Sequence, residues 1–154
     1  MNRRRGGTPP RRSRRKRELG RYKSSLEKYC ADQLREYGIA FNYEEVEYTL
    51  QESFRYEAVY WKMTTGKKDM TNRSNSVVQP IRYTPDFTGV KHNWIIETKG
   101  FTPSQHTFPI RWKMFLKHLD EAGAPYPALF MPKNKQQVDF TVQMIKKLID
   151  DGSV

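Results

Sequence analysis

Three charged side chains cluster around an apolar stretch. In YTPDFTGVKHNWIIETK (83–99), Asp86 follows Pro85, and Glu97 and Lys99 end the run WIIETK. Charge beside an apolar strand costs desolvation energy unless a partner needs it. Period-two geometry puts Ile95, Glu97 and Lys99 on one face, with Trp94, Ile96 and Thr98 on the other. Glu97 and Lys99 therefore emerge together, and Gly100 lets the chain turn away. A hairpin through Gly89–Asn93 would bring Asp86 of the preceding strand beside Glu97. Two carboxylates so placed resist ionising together. A divalent cation removes that penalty, and hard oxygen donors suit Mg²⁺ or Mn²⁺. Lys99 adds a positive group able to orient an attacking water or meet a phosphate. The chemistry implied is metal-assisted phosphodiester hydrolysis. The spacing also fits a solvated strand end with Asp86 as a turn residue.

The elements that must position these groups follow from periodicity. Ser24 or Ser25 fits a helix N-cap, with Glu27 in the first turn. Leu26, Tyr29, Cys30, Leu34 and Tyr37 recur at helical spacing and Gly38 ends the run, which predicts a helix over about 25–37. Ile39 to Leu50 alternates and predicts a strand, and Phe54 to Met63 predicts a second. Residues 64–80 are polar and turn-rich, which predicts a loop between strands. Two further strands are expected at about 81–88 and 93–99, with Pro85 at an edge or a bend. Trp112, Phe115, Leu116 and Leu119 share a helical face. Ala128 to Met131 reads as a short strand closed by Pro132. Val138, Val142, Ile145, Leu148 and Ile149 predict a last amphipathic helix. The order predicts an α/β fold with a mixed central β-sheet flanked by helices.

The chain has 154 residues and a net charge of +11. Residues 1–23 hold eleven bases and one acid, Glu18. They are Arg3, Arg4, Arg5, Arg11, Arg12, Arg14, Arg15, Lys16, Arg17, Arg21 and Lys23. The remaining residues, 24–154, are nearly neutral and are expected to form one domain. A segment of Arg, Gly and Pro with few aliphatics is expected to be disordered alone. It suits a nucleic acid, through counterion release from phosphates. A solubilising tail or a protein-docking arm is the alternative. The single Cys30 excludes an intrachain disulfide and a Cys-based zinc cluster. His92, His106 and His118 lack paired ligand spacing. No stretch has the apolar length of a membrane span or a signal peptide's apolar core, so a soluble intracellular protein is expected.

Pro85-Asp86 followed by Glu97-Thr98-Lys99 resembles the PD-(D/E)xK nuclease signature. SSLEKYCADQLREYGIAFNYEE (24–45), YTPDF (83–87) and IIETKG (95–100) are similar to the phage endonuclease I family of Holliday-junction resolvases, in pieces over about 22–120. A looser similarity to other small phage proteins of that superfamily runs through KGF and WKMFLKHL. The resemblance implies a restriction-endonuclease-like fold and a cytoplasmic, phage-encoded enzyme acting in the host cell. It implies that Glu27 is a catalytic acid and that Asp86 and Glu97 are ligands of Mg²⁺ or Mn²⁺. The backbone carbonyl of Thr98 would be a further ligand, Glu27 would serve a second metal, and Lys99 would be the catalytic lysine. It further implies a domain-swapped homodimer that nicks branched DNA symmetrically. Read without it, Glu27 serves the helix dipole or a cap. Two other readings stand beside it. One is a repair or restriction-type nuclease on linear duplex; the other is a non-catalytic basic DNA-binding or virion-associated protein with a nuclease-like fold.

Overall fold

The computed structural model describes residues 18–63, 66, 69–100 and 106–154. Arg3, Arg4, Arg5, Arg11, Arg12, Arg14, Arg15, Lys16 and Arg17 lie outside the described residues. The elements begin with α1 (Ser25–Glu36), β1 (Phe41–Tyr43), β2 (Tyr48–Gln51), β3 (Phe54–Tyr56) and β4 (Trp61–Met63). They continue with β5 (Met70–Asn72), β6 (Ser76–Val78), β7 (Ile81–Tyr83), β8 (Phe87–Gly89) and β9 (Trp94–Ile96). Last come α2 (Phe108–Ala122), β10 (Ala128–Phe130) and α3 (Lys135–Asp150). Over the span read as one domain, the chain forms two compact units. One comprises residues 1–43, 86–102 and 127–154, the other 44–85 and 103–126.

The first unit is a mixed sheet packed against two helices. Strand order is β1-β8-β9-β10, with β1/β8 and β8/β9 antiparallel and β9/β10 parallel. The mixed sheet expected from the sequence is therefore present. Helix α1 starts where Ser24 Oγ accepts the Glu27 N–H at 3.1 Å. It stops at Gly38, whose φ of 67° a side chain would strain. Asn134 caps α3 in the same way, its Oδ1 accepting the Gln137 N–H at 2.9 Å. Cys30, Ala31 and Leu34 of α1 meet Val138, Val142 and Ile145 of α3, over Phe87, Trp94 and Ile96 of the sheet. The Tyr29 hydroxyl donates to Asp139 at 2.7 Å, a further tie between the two helices. Tyr22, counted with the arm in sequence, belongs to this core at 8 % exposure.

The β8–β9 connection requires its glycine. A Cβ on Gly89 would lie 2.1 Å from the His92 carbonyl oxygen and 2.7 Å from Trp94 Nε1. The indole thus packs directly on the Gly89 backbone.

The second unit is a long antiparallel ribbon with one helix. β2 pairs with β7, β3 with β6 and β4 with β5, in nested order. Phe115 of α2 is fully buried, and Tyr48 of β2 and Tyr83 of β7 pack on it at 4.9 and 4.6 Å between ring centroids.

Several strand expectations are corrected. The strand expected over Ile39 to Leu50 is two strands, because the chain turns at Glu44, whose φ is 50°. Phe54 to Met63 is likewise β3 and β4. The strand expected at 81–88 is divided between β7 and β8, with Pro85, which lacks a ladder donor, between them. Within the expected loop 64–80, β5 and β6 pair with β4 and β3, and the chain turns at Asn75 with φ 58°. A ribbon held by backbone hydrogen bonds needs no alternating apolar face, so its strands read as loop.

Candidate active site

Two strands and one helix of the first unit supply the predicted groups. The last β8–β9 pair is Phe87 with Ile96. One step further along each strand stand Asp86 and Glu97, close enough for the Glu97 charge to act on the Asp86 carboxyl. The backbone beyond Ile96 remains tied to the end of β10 and the residues just after it. The Glu97 N–H donates to the Phe130 carbonyl and the Lys99 N–H to the Pro132 carbonyl, both at 2.9 Å. Glu97, Thr98 and Lys99 thus sit on extended, anchored backbone rather than on a free loop.

Each carboxylate has a specific holder. Asp86 Oδ2 accepts the Thr98 N–H at 2.7 Å and the Thr98 hydroxyl at 2.6 Å. Glu97 Oε1 meets Lys99 Nζ at 2.6 Å, with the side chains 5 % and 19 % exposed. Glu27, buried at 7 % exposure, accepts on Oε2 the Lys23 N–H at 2.9 Å and the Tyr43 hydroxyl at 2.5 Å.

The charges are coupled. Burial pushes the Asp86 carboxyl up to about 7, the neighbouring Glu97 charge pushes the same way, and Glu27 adds to both. The two Thr98 donors oppose that rise by stabilising the ionised form. Burial also raises the Cys30 thiol, with the charges of Asp86 and Glu27 contributing. Asp86, Glu97 and Glu27 therefore share one electrostatic environment, as the sequence suggested for the first two.

Among the described residues, no three His, Cys, Asp or Glu side chains converge as a ready-made metal cage. The donor chemistry nonetheless suits a hard cation. A carboxyl whose ionisation is disfavoured by burial and by an acidic neighbour is a group that a divalent ion would ionise. Asp86 and Glu97 would hold Mg²⁺ or Mn²⁺, with the Thr98 carbonyl next in line and Glu27 for a second ion.

Two supporting residues escaped the sequence reading. Thr98 figured there only for its carbonyl, and the structure turns its N–H and hydroxyl onto Asp86. Tyr43 was read only as one member of an alternating strand. A tyrosine on a strand's buried face must satisfy its hydroxyl, and that was the available signal. Two residues counted with the arm contact Glu27 or its partner Tyr43. The Arg21 guanidinium lies 5.5 Å from the Tyr43 ring centroid, and the Lys23 backbone holds Glu27. Two of the three histidines take structural positions. His92 Nδ1 pairs with the Val154 oxygen at 3.1 Å, and His118 packs on Tyr48.

Comparison with protein-family models, with curated proteins and with solved structures finds no match for this chain. No helix among the described residues is long and apolar enough to cross a membrane.

Proposed function

We propose that this protein is a metal-dependent DNA endonuclease with a restriction-endonuclease-like fold, selective for four-way or other branched DNA and acting inside the cell. The observation that carries the reading is the placement of Asp86 and Glu97 just beyond the Phe87–Ile96 pair that ends β8 and β9, with Lys99 ion-paired to Glu97. A net charge of +11 supports a polyanionic substrate. The likeness of 24–45, 83–87 and 95–100 to junction resolvases favours branched DNA over linear duplex.

Each residue has a distinct task. Thr98 fixes the rotamer of Asp86, and Glu97 holds the Lys99 ammonium over the same region. When substrate enters, that ammonium is the group available to the scissile phosphate and to the attacking water. Mg²⁺ or Mn²⁺, when bound by Asp86, Glu97 and the Thr98 carbonyl, supplies the positive charge that activates water and stabilises the departing oxygen. Tyr43 and the Lys23 N–H both engage Glu27 Oε2, which fixes the carboxylate for a second cation. Water adds to phosphorus as one backbone phosphorus–oxygen bond breaks. One such site cuts one strand, so paired cuts across a two-fold junction call for a homodimer.

The test compares a labelled four-way junction with linear duplexes of its arms, in Mg²⁺ and in Mn²⁺. Paired nicks near the branch are expected. Equal cutting of linear duplex would remove junction selectivity and keep the nuclease. Binding without cutting in either metal would leave a DNA-binding protein.

A further inference from the structure

The ribbon of the second unit leaves its large side chains in water. α2 covers one end, where Tyr48 and Tyr83 meet Phe115. Further along, Phe54, Tyr56, Trp61, Met63 and Met70 are between 39 % and 65 % exposed. Eight of the fourteen large apolar side chains exposed among the described residues lie on this ribbon, so they form a patch rather than a scatter. A two-stranded ribbon is marginal in water by itself, and this one spends aromatic residues without burying them.

Basic residues interleave with the aromatics. Arg55 stands between Phe54 and Tyr56, and Lys62 between Trp61 and Met63, both exposed. Residues 60–73 contain four bases and one acid. Tyr56 pairs with Ser76, and Tyr60 accepts the Arg73 N–H at 2.9 Å, so one strand takes four steps where the other takes three. The two strands are therefore out of step there by one residue, as at a β-bulge.

We propose that this ribbon is a DNA-contacting surface, in which exposed aromatics stack on bases unstacked at a branch and Arg55, Lys62 and Arg73 meet flanking phosphates. The inference rests on DNA being the substrate of the carboxylate site. A two-stranded ribbon fits the major groove in width, and every base offers a face on which an aromatic ring stacks. A second copy of this chain is the poorer occupant. A two-fold contact would set this basic patch against the same patch of the second copy, and protein interfaces are depleted in lysine.

The experiment measures binding in EDTA, where no cutting intervenes. Wild type, Trp61→Ala, Trp61→Phe and Lys62→Ala are titrated against a four-way junction carrying 2-aminopurine at the branch, and against linear duplex. Trp61→Ala is expected to weaken junction binding about tenfold and to abolish quenching of the branch fluorophore. Trp61→Phe should restore most of both, and Lys62→Ala should lower the salt slope. Light scattering should give all four proteins one mass. Unchanged junction affinity in Trp61→Ala would overturn the proposal. So would a Trp61→Ala chain that loses its wild-type assembly without DNA, since the ribbon would then hold a second copy. Wild type that binds but never cuts in metal would sink the nuclease reading alone. Wild type that binds no DNA would sink both.

Discussion

The Tyr43 hydroxyl donates to Glu27 Oε2 at 2.5 Å, and so joins β1 to the first turn of α1 beneath the candidate site. Both residues are buried, at 7 % exposure each. A carboxylate in such a place needs donors, and this one receives the Tyr43 O–H and the Lys23 N–H on the same oxygen. Tyr43→Phe keeps the ring, and with it the packing on Tyr22 and Phe87 at 4.8 and 5.3 Å. It removes only the donor. Stability in urea should fall by about 1.5–3 kcal/mol, the range for hydrogen bonds to charged groups. Junction cutting should fall as well. Unchanged stability would show that the bond contributes nothing net.

Asp86 makes the metal-free protein sensitive to pH. Its folded-state pKa of about 7 lies above the ordinary carboxylate value of 3.8. Between those values the folded state keeps a proton that the unfolded state releases. Stability from this group is therefore full below pH 3.8 and is lost as pH rises through about 7. The loss approaches about 4 kcal/mol at its upper limit. Urea unfolding of EDTA-treated protein should show weaker stability at pH 8 than at pH 5. Asp86→Asn should flatten that slope. Mn²⁺ should restore stability most strongly at pH 8, where ionising Asp86 no longer requires displacing its proton.

Thr98 tunes the same carboxylate through its side chain. Thr98→Val keeps the backbone donor and loses the hydroxyl, so Asp86 should ionise less readily than in wild type. Mn²⁺ affinity at pH 7, read by calorimetry, should fall about tenfold. Thr98→Ser should recover most of it. Equal affinity in Val and Ser variants would remove the hydroxyl from the account.

Gly89 sets the hairpin that aligns Asp86 with Glu97. A Cβ there meets backbone oxygen at 2.1 Å and the Trp94 indole at 2.7 Å, and the backbone atom has no rotamer to change. Gly89→Ala should destabilise the protein by about 1–3 kcal/mol in urea unfolding. Cutting should drop with it, since the register that pairs Phe87 with Ile96 would shift. Wild-type stability in this variant would contradict the packing.

Much of the site was legible because its signals are local. Ser24 and Gly38 mark the ends of α1 by cap chemistry, and the Gly89–Asn93 spacing marks the hairpin. From these, Asp86 and Glu97 could be placed side by side. The ribbon was harder to read. Glu44 and Asn75 adopt positive φ without glycine's signature, so strand breaks passed unseen. The 64–80 stretch carries no alternating apolar pattern because β5 and β6 lie in an exposed ribbon. Tyr22 stands among arginines in the sequence, which hides that it belongs to the core. The bonds from Tyr43 to Glu27 and from Thr98 to Asp86 join separate elements, which spacing along one strand does not reveal.

The central claim is that Asp86, Glu97 and Lys99 form a phosphodiester-cutting site. Its most direct test is single-turnover cutting of a labelled four-way junction by wild type, Glu97→Ala and Lys99→Ala, each in Mg²⁺ and in EDTA. Cutting by wild type in Mg²⁺ is expected, with none in EDTA. Both variants should lose about a hundredfold or more in rate while still binding the junction. Cutting that persists in EDTA, or that survives Glu97→Ala at the wild-type rate, would contradict the account.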